Sequence, residues 1–193
     1  MRPATRLVRF DAAPGDPAAP TATPIYQTAT FAQPDALGDG PYDYSRSGNP
    51  TRRVLEEQLA ALEGGAAAFT FASGMAALSA VTRLLGGGDR ILAGADLYGG
   101  CWRLLTRLSR RQGLEVGFVD TTDPAVVEAE LQRGAALLLI ETPTNPLLQI
   151  SDLRRLAAAC RAHGCLLAVD SSLMTPLGQR PLEHGADLVV HSA

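Results

Sequence analysis

Ala136-Leu137-Leu138-Leu139-Ile140 runs without a polar side chain straight into Glu141-Thr142-Pro143-Thr144-Asn145-Pro146. Five consecutive apolar residues, bounded by turn formers, suit a strand covered on both faces. Residues 166–169, 90–93 and 115–119 read the same way, and Asp187-Leu188-Val189-Val190 begins another such strand. Residues 67–71 read as a further strand ahead of these.

Helical patterns alternate with these segments. Asn49 suits a helix N-cap and Pro50 its first turn. Val54, Leu55, Leu59 and Leu62 then form a stripe that Gly64-Gly65 ends. Residues 74–85, 99–111 and 124–133 follow as helices, and Ser151-Asp152 caps one running to His163. Apolar strands alternating with amphipathic helices predict an α/β fold. The expected form is three-layer α/β/α, with a mostly parallel sheet and an extended N-terminal arm. Residues 1–24, rich in Ala and Pro, read as unpacked chain. The domain reading is an arm over residues 1–48 and a sheet domain over residues 49–193.

Composition narrows the function. The 193 residues are 46% hydrophobic and 19% charged, the mark of a globular chain. A net charge of −3 without a dense arginine stripe argues against nucleic acid as a partner. Arg110-Arg111 and Arg154-Arg155 read as solvated helix faces. Arg6, Arg9 and Asp11 interrupt any apolar leader, and no stretch is long enough to span a membrane. Cys101, Cys160 and Cys165 read as buried cytosolic thiols, and His163, His184 and His191 lack metal-ligand spacing. All 17 basic residues are arginine; the sequence contains no lysine.

Ligands of such folds sit at the carboxyl ends of the strands, so the residues there carry the functional reading. Ser73-Gly74-Met75 turns the chain into a helix, whose free N–H groups and dipole suit a phosphate, although such turns are common without one. Tyr98, before Gly99-Gly100, stands where a ring could stack, or is simply a half-buried loop tyrosine. Asp170 closes an apolar strand, where a carboxylate needs a partner; it also suits a turn. Asn145 sits between two prolines in a stiff loop, which aims it at a ligand or merely connects two elements.

The joint pattern is also specific. Tyr42-Asp43-Tyr44-Ser45-Arg46-Ser47-Gly48-Asn49-Pro50-Thr51-Arg52 resembles the YSRxGNPT signature of the Cys/Met-metabolism pyridoxal-phosphate enzymes, the family of cystathionine β-lyase, γ-synthase and γ-lyase. Ser73-Gly74-Met75, Tyr98-Gly99-Gly100, Glu141 through Leu147 and Gly185 through Ala193 match in order and spacing. Pro24 through Phe31, Gly40-Pro41-Tyr42-Asp43-Tyr44 and Gln149-Ile150-Ser151-Asp152 look closest to the β-lyase branch.

The resemblance implies pyridoxal 5'-phosphate as cofactor and a small sulfur amino acid as substrate. It implies a carbon–sulfur lyase that converts cystathionine to homocysteine, pyruvate and ammonia. By the same resemblance, Gly74 and Met75 bind the phosphate, with Ser73 in the same turn and Ser192 adding a hydroxyl. Tyr98 stacks on the ring and touches substrate, Asp170 pairs with the ring nitrogen, and Asn145 lies near the ring hydroxyl. Tyr44 and Arg46 reach across a dimer interface, so the implied state is a homo-oligomer, and the implied location is the cytoplasm. Two departures stand out. Asp170-Ser171-Ser172-Leu173 replaces the commoner Asp-Asn-Thr or Asp-Asn-Ser, with Ser172 keeping the hydroxyl. The family's Ser-Ala-Thr-Lys, whose lysine holds the cofactor, is matched only as Ser192-Ala193. These 193 residues are therefore expected to be an N-terminal portion, inactive alone. γ-Synthase and γ-lyase chemistry stay open. So does a non-catalytic module that binds the cofactor or pairs with a family subunit. A nucleotide-binding domain finds no GxGxxG or phosphate-loop motif.

Overall fold

The computed structural model describes residues 2–8, 18–38, 40–109 and 111–193. Arg9, Asp11 and Arg110 lie outside the described residues. The chain divides into two compact units, Met1–Thr70 and Phe71–Ala193.

The first unit corrects the reading of residues 1–24 as wholly unpacked. Pro3–Val8 forms a short helix, α1, against the longer α2, Pro50–Glu63. Gln58 on α2 donates to the Arg6 and Leu7 carbonyls, and Arg6 Nη1 donates to the Ala61 carbonyl. The first pair satisfies carbonyls that a helix end leaves open. α2 starts as its sequence dictates: Asn49 Oδ1 accepts from the Thr51 and Arg52 N–H groups, and Gly64 closes the helix at φ 72°. Leu62 is buried, whereas Leu55, read as part of the same stripe, is 48% exposed. Between the two helices, the Thr30 and Tyr44 regions meet in an antiparallel bridge.

Residues 67–71 are not a strand. They pair with no strand among the described residues. The Thr70 N–H and hydroxyl both donate to Glu56 Oε1, and Phe69 is 76% exposed. An apolar run need not join a ladder when a side chain takes its N–H and solvent takes its faces.

The second unit is the predicted α/β architecture. Five strands, β1 Arg90–Gly94, β2 Glu115–Val119, β3 Leu137–Glu141, β4 Leu166–Asp170 and β5 Leu188–Val190, pair in parallel in the order β2-β1-β3-β4-β5. Side chains alternate between faces, as strand geometry requires. Ile91, Ala93, Leu137, Leu139 and Ala168 face one core, which α3 (Gly74–Thr82) and α4 (Gly99–Arg103) cover. Leu92, Leu138, Ile140, Leu167 and Val169 face the other, covered by α5 (Pro124–Leu131) and α6 (Leu153–Ala162). α4 continues as a π-helical segment, Leu104–Ser109. α3 stops at Thr82, earlier than residue 85. Asp152 alone caps α6, because the Ser151 hydroxyl donates to Thr121 instead. A short helix α7, Thr175–Gly178, and a 3₁₀ turn, Pro181–His184, precede β5.

The amino edge of the sheet is fastened by Arg90. Its guanidinium donates to the Glu130 carboxylate at 2.5 Å and to the Glu130 and Gly134 carbonyls at 3.0 and 3.1 Å. The Arg90 and Arg133 bonds to the carboxylate hold the Glu130 carboxyl below its usual range. At the opposite edge the chain leaves β1 for β2 and returns to β3 on the other side of β1. The carboxyl ends of β1 and β3 therefore flank the topological switch point, where open α/β sheets place ligands.

Candidate active site

Five segments of the second unit end at this carboxyl edge. The first is the start of α3. Ser73 caps the helix, its hydroxyl oxygen accepting from the Ala76 N–H at 3.2 Å. The Gly74 and Met75 N–H groups precede any helical carbonyl and point out of the first turn. A side chain at position 74 has no room: a Cβ there would lie 2.7 Å from Ser192 Cβ and 2.8 Å from Ser192 Oγ. Glycine is what lets Ser192 pack against this turn.

From Ser192 a chain of hydrogen bonds leads to Asp170. The Ser192 N–H donates to Ser172 Oγ at 2.8 Å, and the Ser172 hydroxyl donates to Asp170 Oδ1 at 2.6 Å. The Ser172 N–H also donates to Oδ1, at 3.0 Å. Asp170 is half-buried, and its Oδ2 carries no hydrogen bond among the described residues. Ser172 thus spaces the anion cradle from a carboxylate with one open oxygen. With that bonding, its hydroxyl acts as a strut between the two.

Tyr98 and Asn145 come from the loops after β1 and β3. Tyr98 is 50% exposed. Its ring lies over Gly100 beside Met75, since a Cβ on Gly100 would meet Met75 Sδ at 2.8 Å and the Tyr98 ring closer still. The Asn145 side chain is exposed, with no protein partner among the described residues.

One carboxylate joins these two loops. Glu141 is 8% exposed; its Oε2 accepts from the Tyr98 N–H at 2.7 Å and its Oε1 from the Asn145 N–H at 2.9 Å. Burial raises its pKa, with the nearby Asp170 charge adding to the rise and the two N–H bonds opposing it. The Cys101 thiol, buried beneath, is pushed up to about 12, first by burial and then by the Asp170 and Glu141 charges. Such a thiol is inert at neutral pH. Glu141 lies in the Glu141-to-Leu147 motif, yet nothing local in the sequence marks its role. Its partners are backbone N–H groups, one of them 43 positions away, and residue spacing does not reveal them.

Next to this edge, Met75 also borders a groove between α3 and α4, lined by Arg103, Arg107 and Arg111. These guanidiniums add positive potential on the cradle's flank. Tyr44 and Arg46 belong to the first unit. There Arg46 donates to the Tyr44 hydroxyl, with its guanidinium carbon 4.9 Å from the ring centroid. All three cysteines are buried and free of disulfides, as read from the sequence. Cys160 and Cys165 share a thiol hydrogen bond, which raises the pKa of the first and lowers that of the second. No described helix is long and apolar enough to cross a membrane.

The donor set fits pyridoxal 5'-phosphate. Unpaired amides and a hydroxyl suit the phosphate, an open carboxylate oxygen suits a protonated ring nitrogen, and a phenol is placed to stack. Comparison with known proteins agrees. Chloroplastic cystathionine β-lyase of Arabidopsis thaliana is 52% identical over 178 residues, which span 92% of this chain and 38% of that protein. Cystathionine β-lyase MetC of Bacillus subtilis is 46% identical over 170 residues, 88% of this chain and 44% of that one. The crystal structure of cystathionine γ-synthase from Xanthomonas oryzae pv. oryzae, in complex with aminoacrylate and cysteine, superposes with a TM-score of 0.95 at 38% identity. That match covers 99% of this chain and 50% of the other. The chain thus spans half or less of the length of these relatives. A family profile described as Cys/Met metabolism PLP-dependent enzyme matches residues 4–193, and the chain belongs to that family of pyridoxal-phosphate enzymes.

Proposed function

We propose that these residues form the cofactor cradle of a carbon–sulfur lyase that cleaves cystathionine. The reaction takes cystathionine and water to homocysteine, pyruvate and ammonia. The observation that carries the reading is the hydrogen-bonded line from Ser192, packed against Gly74, through Ser172 to Asp170, which joins an anion-binding turn to a carboxylate with one open oxygen. When bound, the cofactor supplies an electron-withdrawing ring that acidifies the substrate's Cα.

Within that reading the chain's residues have distinct tasks. The Gly74 and Met75 amides bind the phosphate, and Ser192 donates its hydroxyl to it. Asp170 Oδ2 holds a proton on the ring nitrogen, and Oδ1 stays engaged by Ser172. The Tyr98 phenol covers one ring face and orients the substrate, while Asn145 stands at the ring hydroxyl. Tyr44 and Arg46 supply a phenol and a guanidinium to the phosphate of a second copy in a homo-oligomer. Arginine suits this because its planar fork binds phosphate oxygens in pairs. The preference for β-elimination over γ-chemistry rests on the 52% identity to the plant β-lyase. The cytoplasm is the proposed location.

The proton at Cα needs a base, and these enzymes use the lysine that also holds the cofactor. No lysine occurs among the 193 residues. Losing a positioned acid–base group alone costs about 10²–10⁴ in rate. The purified 193-residue chain, mixed with pyridoxal phosphate and cystathionine, is therefore expected to retain the cofactor through gel filtration yet release no pyruvate above the cofactor-only rate. Failure to retain the cofactor at millimolar concentration overturns the proposed cradle.

A further inference from the structure

Among the described residues, the two loops that flank the switch point share no backbone hydrogen bond with each other, and one side chain bonds to both. Tyr98 follows β1 and Asn145 follows β3, and each presents its N–H to a different oxygen of Glu141. Glu141 is the last residue of β3 and pairs in register with Asp170 on β4. The β3–β4 ladder therefore fixes the carboxylate's origin next to the carboxylate assigned to the ring nitrogen. A second bond, from the Thr142 N–H to the Asp170 carbonyl at 3.3 Å, continues that pairing past the strand.

The choice of residue is informative. Two N–H donors approaching from opposite sides need two acceptors, which an ionised carboxylate supplies. Glutamine has the same size but one acceptor and one donor, so either orientation sets an NH₂ against an N–H. A buried acid also pays for desolvation, and burial together with the Asp170 and Asp96 charges raises the Glu141 pKa despite the two N–H bonds. A group retained under such conditions points to a task other than packing.

Resting on the cofactor reading above, we infer that Glu141 is a positioning residue: it clamps the Tyr98 loop to the Asn145 loop across the crevice and so sets the ring-binding gap. Both its oxygens are taken by protein N–H groups, which leaves none to bind phosphate or ring. Its effect is confined to the ring side, because the Gly74, Met75 and Ser192 cradle is built from other segments.

The test compares the 193-residue chain with Glu141→Gln and Glu141→Asp. Backbone amide exchange at Tyr98 and Asn145 is measured by NMR, and affinities for pyridoxal phosphate and for inorganic phosphate by equilibrium dialysis. The clamp predicts slow exchange at both amides in the unsubstituted chain and faster exchange at one or both in each variant. Pyridoxal-phosphate affinity should fall about 10-fold, as expected for one charge-assisted bond. Inorganic phosphate affinity should hold within about twofold. Glutamine, equal in volume, rescues neither readout. Unchanged protection in both variants, or a parallel fall in affinity for both ligands, overturns the clamp. If the unsubstituted chain ignores pyridoxal phosphate, the cofactor reading fails instead, and amide protection still decides whether Glu141 joins the loops.

Discussion

Glu141 and Asp170 occupy equivalent places: each ends a buried parallel strand, and they are partners in the β3–β4 register. Their surroundings differ. Glu141 is buried with both oxygens bound to protein N–H groups, whereas Asp170 is half-buried with one oxygen bound and one open. A strand-end carboxylate is therefore not a function by itself. Where both oxygens meet the protein, it builds the site. Where one is left open, it can bind a ligand.

The largest effect should come from the open oxygen. Asp170→Asn keeps an acceptor for Ser172 but turns the free position into a donor. Affinity for pyridoxal phosphate should drop about 100-fold, or about 2.7 kcal/mol, with little change in melting temperature. A variant that binds the cofactor normally would end the assignment of Asp170. Glu141→Ala should do the reverse in kind: two N–H groups lose their acceptor, and urea unfolding should show a loss of about 2 kcal/mol. An unchanged midpoint would mean that water replaces the carboxylate without penalty. Gly74→Ala tests the far end of the line. Its methyl must displace Ser192, and affinity for pyridoxal phosphate and inorganic phosphate should fall together, by about 10-fold. A fall for the coenzyme alone would contradict the phosphate assignment.

The smallest effect concerns pH. Burial raises Glu141's folded-state pKa above its unfolded value, so its contribution to stability is whole below the unfolded pKa and is lost as pH rises through the folded one. The unsubstituted chain should therefore gain stability relative to Glu141→Gln as pH falls through the raised value. Over the same range it loses an acceptor and holds the coenzyme less tightly. Chemical unfolding and dialysis at matched pH values measure the two trends. Parallel trends would separate the clamp from this titration.

Much of this edge could be read from residue order. The apolar runs at 136–140 and 166–169 fixed the strands, and Asn49-Pro50 and Asp152 fixed two helix starts, because each signal is local. Gly74, Tyr98, Asn145 and Asp170 stood out for the same reason, each following an apolar segment. Long-range partners stayed hidden. The apolar run 67–71 looked like a strand until Glu56 was seen to take the Thr70 N–H. Pro3–Val8 looked unstructured because what holds its end is Gln58, more than fifty positions later. The partners of Glu141 are hidden for the same reason, since the Tyr98 N–H lies 43 positions away.

Arg90 sits at the beginning of the strand whose far end leads to Tyr98. It locks that beginning to the last turn of α5, out of reach of any molecule resting at the opposite rim. Rigidity and reactivity are thus separated lengthwise along one five-residue ribbon. A survey of the two ends should sort accordingly: substitutions of Arg90 read out on a thermometer, and those of the Tyr98 side chain on a binding curve. The second rim is thereby free to vary in specificity while the first preserves the scaffold.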